Sequence, residues 1–439
     1  MSKLNKYKFN SLYTMSSGIS SKPEQAGHGS PFASFRTIFN NYFLPDELQD
    51  LMDTSYQEQE TYSIKKGDIF LTRTSETIDE LGISCVAVKD YPKATFSGFV
   101  KRLRPTQDDI SYHKYMGFYL RSKFFRKIMT NNAVMTLRAS LNEEIFSYLD
   151  LLLPDYETQK KNGDFLFLIN SKIAINNKIN TELEQMAKTI YNYWFVQFDF
   201  PISAAYAASA GKPELEGKPY KNSGGKMVWN EELKREVPVG WEVGCISDIS
   251  KLQSGFAFQS TWWLESGVPV LKIGNIQEDY SISFDGCSYV SEDKIKLAQD
   301  CQANPGDVII AMTGATIGKF AIVPDIDSPI LINQRVGLFK LGNNPIKRLP
   351  FLINTLKQSY VREMIFFIAS GCAQPNISAA EINSIKTVIP PETLIILFNK
   401  SSNAFFELII KNQKQNQELT RLRDFLLPLL MNGQVRVSE

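Results

Sequence analysis

The chain has 439 residues, 43% of them hydrophobic, and its 48 Lys and Arg against 47 Asp and Glu leave a formal net charge of +1. That length allows about two to four domains with their own cores, and so even a charge names no partner by itself. No stretch approaches about 18 uninterrupted apolar residues, the opening MSKLNKYKFNSLYTMSSG has no apolar run of signal-peptide length, and the five cysteines form no CxxC pair. A cytoplasmic protein with reduced thiols and no membrane span is therefore expected.

Along the chain, residues 1–156 read as a first globular domain. DIFLTR, ISCVAV and GFVKRLR have strand character, and YMGFYLRSKFFRKIMTNN has the spacing of one helix. Residues 157–200 then read as a long helical region, and residues 201–236 as a connector rich in Pro, Gly, Ala and Ser, anchored by Trp229 within it and Trp241 just past its end. Residues 237–391 repeat the first domain's order: VPVLKIGNI, DVIIAMT, FAIVP and RVGLFKL as strands, then FLINTLKQSYVREMIFFIAS as one helix. Residues 392–439 form a second helical region.

The repeat is explicit at an offset of about 237 residues. KKGDIFLTRTSETIDELGISCVAV (65–88) returns as NPGDVIIAMTGATIGKFAIV (304–323), YLRSKFFRKI (119–128) as LKQSYVREMI (356–365), and NTELEQMAKTI (180–190) as NQELTRLRDFL (416–426). Such a period is too long for a solenoid unit. It gives an α+β architecture in which two homologous domains alternate with two long helices.

Ile169, Ile179, Leu183, Met186, Ile190 and Tyr193, with Lys172 and Asn176 interrupting, step by threes and fours in the first helix, as do Phe405, Leu408, Leu419, Leu422, Leu426 and Leu429, with Asn412 and Gln415 interrupting, in the second. This is a coiled-coil seam, and each helix is the obvious partner of the other. Packed antiparallel about a pseudo-two-fold axis, helices of ~35 residues span on the order of 50 Å and act as a ruler. Asn176 and Asn412 occupy equivalent places near the helix middles. Either they meet across the seam and fix its register, or they sit at solvated positions. The aromatic cluster of Tyr193, Trp194, Phe195 and Phe198 is either a docking surface or ordinary core.

Catalytic parts are scarce. The only histidines are His28 and His113, and TGATIGKF (313–320) is one residue short of a phosphate loop, with Phe320 where Ser or Thr belongs. No GxGxxG opens a helix and no GxSxG is present, so neither a catalytic site nor a metal site is expected. What remains is recognition. Residues 89–138 carry 11 Lys and Arg against three Asp, while residues 40–88 carry 10 acids against three bases. That segregation suggests a basic face.

Side chains able to contact base edges cluster in loops after the repeated strands. In the second domain these are Lys272, Asn275, Thr313, Thr316, Lys319, Asn333, Gln334, Arg335, Gln374 and Asn376; in the first, Arg36, Thr72, Arg73, Ser75, Thr77, Ser97, Lys101 and Arg138. Scaffold residues match between the copies whereas these do not, so the two domains should read different half-sequences.

YNYWFVQFDFP (191–201), GGKMVWNEELKREVPVGWEVGCISDI (224–249) and the ending LLPLLMNGQVRV (426–437) resemble the specificity subunit of type I restriction-modification systems. The resemblance covers nearly the whole chain. It implies two target-recognition domains on an antiparallel coiled coil, each reading half of a split, asymmetric site on double-stranded DNA. It also implies a subunit without activity of its own. Two adenine methyltransferase subunits would bind S-adenosylmethionine, and restriction subunits would use ATP and magnesium; the target adenine must leave the stack to be methylated. Asn176, Ile179, Leu183, Met186, Ile190, Tyr193, Trp194, Phe195, Asn412, Leu419, Leu422, Leu426 and Leu429 are then the candidates for the coiled coil and for docking those partners.

One departure is visible: the second domain opens with VPVGWEVGCISDI, and the first has no Pro-x-Gly-Trp counterpart. Its opening strand is either missing or supplied by the connector or the C-terminal NGQVRV. Two readings compete with the specificity subunit. A stand-alone methyltransferase or nuclease is opposed by the missing motifs. A coiled-coil scaffold without DNA binding would show no salt-sensitive retention on any duplex.

Overall fold

A computed structural model describes residues 3–20, 22–75, 80–132, 139–140, 143–277, 279–370 and 375–437. The chain divides into two compact units, Met1–Ile173 with Glu418–Glu439, and Ala174–Gln417. The helical regions are therefore not separate modules, because each long helix contributes residues to both units.

In the first unit the apolar run after Gly67 and Asp68 forms the strand Ile69–Thr72, buried along its whole length. Side chains alternate across a strand. Ile69 and Leu71 accordingly pack with Tyr115, Met116, Phe118 and Tyr119, while Phe70 packs with Cys85, Phe96 and Val100 on the other face. Covering both faces explains why the segment is continuously apolar rather than alternating. This strand sits in an antiparallel sheet ordered Tyr13–Ser17, Val100–Pro105, Ile69–Thr72, Ser84–Val86. A smaller sheet orders Asp50–Met52, Ala26–Ala33 and Thr95–Phe96, the last pair parallel.

The second unit repeats this topology strand for strand. Leu252–Ser254, Val336–Phe339, Val308–Ala311 and Phe320–Ile322 form the same antiparallel order. Ser288–Val290, Val268–Leu271 and Ile330–Ile332 reproduce the smaller sheet, including its parallel pair, and Gln302–Ala303 adds a fourth strand. In the first unit that fourth strand is reduced to a single bridge between Ile64 and Tyr91.

Equivalent turns precede the central strands. Gly67 and Gly306 adopt φ of 91° and 89°, a region that disfavours any side chain. The following carboxylates accept the backbone N–H of Lys65 and of Asn304, each at 2.8 Å. Asp68 is further bound by Arg104 at 2.8 and 2.6 Å, whereas Asp307 takes the Leu341 N–H at 2.9 Å. Burial pushes the Asp307 carboxyl above its ordinary value, against the pull of the Leu341 and Asn304 N–H groups.

The first domain's opening strand is neither missing nor borrowed. Asn5–Lys8 pairs antiparallel with Asp150–Leu153, as Glu242–Cys245 pairs with Lys386–Ile389. A one-turn helix follows each opening strand, Phe9–Leu12 and Ile246–Ile249. NKYKFNSL thus does the work of EVGCISDI without the Pro-x-Gly-Trp signature.

Both expected domain helices are broken in two. His113–Tyr119 is followed by Lys123–Asn132, and Leu349–Leu356 by Ser359–Ala369. At the first break Ser122 is decisive: its hydroxyl donates to the Tyr119 carbonyl at 2.6 Å and accepts the Phe125 N–H at 3.3 Å. At the second, Gln358 takes an extended conformation before the new helix.

Four of the eleven cations in the expected basic face are spent inside the first unit. Arg121 donates to the carbonyls of Ser84, Ile38, Phe39 and Asn41. Arg102 donates to Ser63 O, Arg104 pairs with Asp68, and Lys114 pairs with Asp164. Charge counting along the chain cannot see that these cations bind carbonyls and carboxylates of their own domain.

The long helices are Tyr156–Tyr191 and Glu392–Met431. In the second unit they run antiparallel, because Asn176 bonds Asn416 while Asn180 bonds Asn412. In the first unit Leu166 packs with Leu427, Leu430 and Met431. The seam is rotated from the expected one. Asn176, Asn180, Ala187 and Tyr191 are buried on the first helix, with Leu183 packed alongside; Phe398, Ser402, Phe406, Ile409 and Asn412 are buried on the second. Ile179, Met186, Leu408 and Leu422 are exposed, as is Tyr193. A count of large apolar residues misses this phase because amides, Ala and Ser line much of the contact.

By length and composition Glu392–Met431 is the one candidate membrane span among the described residues. Its apolar residues Phe398, Phe406 and Ile409 are buried in the second unit's core. A π-helical turn, Asn192–Val196, ends the first long helix. It turns Phe195 into an aromatic core with Tyr191, Phe198, Trp241, Phe351 and Phe398. The connector is folded on that core: Phe200 stacks on Tyr220 at 4.6 Å and on Trp241 at 5.3 Å. Trp241 is the anchor; Trp229 is exposed.

Candidate nucleic-acid interface

In the second domain, backbone hydrogen bonds stitch the loops after the strands into one cluster. Met312 N–H donates to Arg335 O at 3.1 Å, Gly314 N–H to Pro375 O at 3.0 Å, and Ile377 N–H to Met312 O at 2.9 Å. Asn333 N–H reaches Leu271 O at 3.0 Å and Gln334 N–H reaches Phe256 O at 2.9 Å. Lys272, Thr313, Thr316, Asn333, Gln334, Arg335 and Asn376, separated by up to about a hundred positions in sequence, therefore share one surface region. Lys319 closes the same turn, its N–H donating to Thr316 O at 3.0 Å.

The first domain is stitched the same way. Arg73 N–H donates to Phe99 O at 2.9 Å, Gly98 N–H to Ile19 O at 2.8 Å, and Ser97 N–H to Ala33 O at 3.1 Å. Thr74 pairs with Ser140 where Thr313 bridges Asn376. The close approach beneath both clusters requires glycine. A Cβ on Gly18 would overlap the carbonyl oxygens of Ser97 and Phe96, and one on Gly255 those of Asn333 and Ile332.

This shared frame assigns equivalent positions: Ser97 with Asn333, Gly98 with Gln334, Phe99 with Arg335, Arg73 with Met312, and Ser140 with Asn376. The frame is common and the side chains it displays differ.

The individual candidates divide by what they touch. Arg335, Gln334, Asn376, Arg73 and Arg36 are exposed. Thr313 and Thr316 are half-buried, and their hydroxyls make no hydrogen bond among the described residues. Lys101 donates to Ser17 at 2.8 Å. Lys272 donates to Ser288 at 2.7 Å and lies 3.9 Å over the Trp263 ring.

Three candidates are structural instead. Thr72 is fully buried, donating to Glu80 O at 2.8 Å and accepting Ile83 N–H at 2.9 Å. Ser97 is buried and accepts the Phe99 N–H at 3.3 Å. Asn275 is buried, accepting Lys272 N–H and donating to Ser283 O, each at 2.9 Å. Such residues shape a loop and cannot reach a base edge. Thr77, Arg138 and Gln374, and the side chain of Ser75, lie outside the described residues.

Phe99 is the residue that sequence reasoning passed over. It is 67% exposed at the position of Arg335, and aligning SGFVK with NQRVG across the repeat would have found it. A search restricted to hydrogen-bonding side chains discards a phenylalanine. The seam candidates divide similarly. Phe195 is buried in the aromatic core and Trp194 packs on Phe398 at 5.8 Å; Ile179, Met186 and Tyr193 are outward.

Chemically, exposed Arg, Gln and Asn on a rigid frame suit two-pronged contacts to guanine and adenine edges. Among the described residues no three His, Cys, Asp or Glu side chains are grouped to hold a metal ion. Cys85, Cys245, Cys287 and Cys301 are free thiols, and burial pushes the Cys85 thiol up to about 12, which makes it unreactive.

Comparison with known proteins matches residues 17–185 and 238–421 to the type I restriction modification DNA specificity domain. The chain is 25% identical to the MjaIX specificity subunit of Methanocaldococcus jannaschii, over 85% of this chain and 79% of that protein. It is also 25% identical to the HindI specificity subunit of Haemophilus influenzae, over 92% of this chain and 94% of that one. Among solved structures, the S subunit of the type I restriction-modification system from M. genitalium has the same fold, with a TM-score of 0.56 at 14% identity, covering 98% of this chain and 96% of that chain.

Proposed function

The chain belongs to the type I restriction modification DNA specificity family, and from that membership we propose that it is the DNA-specificity subunit of a type I restriction-modification complex. Each domain reads one half of a bipartite, asymmetric site. The observation that carries this reading is the pair of loop clusters, built on one hydrogen-bonded frame and displaying different side chains, Arg335, Gln334 and Asn376 in one and Phe99 and Arg73 in the other. A common frame with unlike displays is what two non-identical half-sites require.

Methylation and cleavage are assigned to partner subunits. In this reading methyltransferase subunits bind S-adenosylmethionine and restriction subunits use ATP and magnesium, while this chain chooses the sequence. The outward residues Ile175, Ile179 and Met186 on the first long helix, with Tyr193 on the π-helical turn that ends it, support a docking face. Three of the four are purely aliphatic or thioether side chains, exposed beside a seam that is otherwise filled. The complex works on double-stranded DNA in the cytoplasm.

The test is binding of the chain, purified with its methyltransferase, to duplexes carrying sites mapped from methylated adenines in the host genome. Sequence-dependent binding that weakens steeply with salt is expected. Equal affinity for scrambled duplexes, or methyl transfer by the chain alone, overturns the reading.

A further inference from the structure

We propose that Phe99 is the first domain's counterpart of Arg335, and that its ring reads a thymine by packing against the C5-methyl group in the major groove. This rests on the reading of the loops as DNA-reading surfaces, and adds the chemistry used by the first domain.

A single exposed phenylalanine is ordinary on any protein surface. What distinguishes this one is how it is held and where. Its carbonyl accepts the Arg73 N–H at 2.9 Å, as the Arg335 carbonyl accepts the Met312 N–H at 3.1 Å. Its own N–H donates to the Ser97 hydroxyl at 3.3 Å. The flanking Ser97 and Val100 are buried, and Val100 pairs with Thr72 as Val336 pairs with Ala311. The backbone is thus fixed on both sides, and the ring is presented outward rather than tethered to a loose loop.

Its surroundings are polar. Arg73 beside it is exposed, and Lys101 lies two residues on, bonded to Ser17. An exposed ring on a backbone shared with two cationic residues, Arg73 and Lys101, suits a surface in which Arg or Lys meets phosphates and an apolar group meets a base. Phenylalanine offers no hydrogen bond to a base edge. In the major groove the one apolar feature that separates bases is the thymine methyl. The two domains would then differ in kind at one frame position: a guanidinium suited to guanine in one, an aromatic face suited to thymine in the other.

The experiment uses the complex with the methyltransferase and duplexes carrying its genome-mapped site. Each thymine in the site, on either strand, is replaced in turn by uracil, which removes only the methyl. The wild-type complex should lose about fourfold in affinity at one thymine, the size expected for one buried methyl group. Phe99→Ala should bind the thymine duplex at least that much more weakly and be indifferent to uracil at that position. Phe99→Leu, which keeps an apolar surface, should retain part of the discrimination. Arg335→Ala serves as the control and should alter preference only in the opposite half-site.

Phe99→Ala that binds like wild type, or that still discriminates every uracil, overturns the proposal, as does a half-site opposite the Arg335 one without thymine on either strand. If Arg335→Ala also leaves every base preference intact, the loop reading itself fails. If only Phe99→Ala is silent, that reading stands and this proposal alone falls.

Discussion

Asn176 donates its side-chain amide to Asn416 Oδ1 at 2.8 Å, and Asn412 donates to Asn180 Oδ1 at the same distance. Each bond is the image of the other under the 236-residue repeat offset. The equivalent asparagines 176 and 412 do not bond each other; each bonds the repeat mate of its neighbour one turn along. Gln415 and Asn177 extend the array, accepting from Asn176 at 2.8 Å and from Asn416 at 2.6 Å. A buried amide without a partner costs about 1–3 kcal/mol, so this array stabilises one register of the two helices against those that would set amides on aliphatic side chains.

Replacing one member should therefore hurt more than replacing two. Asn176→Leu is expected to lose about 1 kcal/mol, because half-buried Asn416 loses its donor, while exposed Gln415 turns to water. Asn176→Leu with Asn416→Leu should recover most of it, by making that layer apolar. Urea unfolding of the singles and the double gives the coupling. Strictly additive losses would remove the role given to this array.

The glycines under the proposed reading loops are a second test. Gly255→Ala forces Asn333 to move, since the new Cβ overlaps its carbonyl, and overpacking of this kind costs about 1–3 kcal/mol. Discrimination should fall in the half-site assigned to the second domain and persist in the other; Gly18→Ala should do the reverse. Binding to duplexes mutated in one half at a time reads both.

Arg335→Ala should cost about 1–3 kcal/mol of discrimination at a single base pair, if its guanidinium makes a two-pronged base contact. Affinity for duplexes already altered at that pair should change little. Competition binding across all four base pairs at each position measures it, and a uniform loss would mean that Arg335 contacts phosphate instead.

Acid sensitivity has a specific source in the first unit. Burial, with the nearby Lys66 and Lys114 cations, pushes the His113 imidazole down from its ordinary 6.5 to about 4. The unfolded chain binds a proton near pH 6.5 and the folded chain only near 4. Stability is therefore lost as pH falls through that window and is constant above it. Asp150, held low by Lys6 and Lys8, and Asp155, held low by the Thr158 N–H and hydroxyl, take up their protons at lower pH. His113→Gln should flatten the melting temperature between pH 6.5 and 4; an unchanged slope would assign that window to another group.

The docking face is testable without disturbing the seam. Ile179 and Met186 are 37% and 50% exposed, so Ile179→Asp with Met186→Asp should leave the chain's own melting temperature nearly unchanged. Association with the methyltransferase should weaken by roughly tenfold or more, as when apolar anchors are lost from an interface. Titration calorimetry on the purified partners distinguishes this from simple misfolding.

The duplication was written in the chain: the Gly-Asp turns, the apolar runs DIFLT and DVIIA, and the matched helix stretches follow from local periodicity. Local pattern also suffices for two long helices with three-and-four spacing. It failed wherever a residue's partner is distant in sequence. NKYK carries no signature of an opening strand; only its pairing with Asp150–Leu153 makes it one. Thr72, Ser97 and Asn275 look like reading residues until their loops close and bury them. Arg102 and Arg121 look like a basic face until backbone carbonyls claim them. The phase of the helix seam was decided by amides whose polarity is cancelled only by amides on the other helix. Composition and period set what each segment is, because they act over a few residues; which side chains remain outside to meet DNA is set by long-range hydrogen bonds, and only the folded chain contains those.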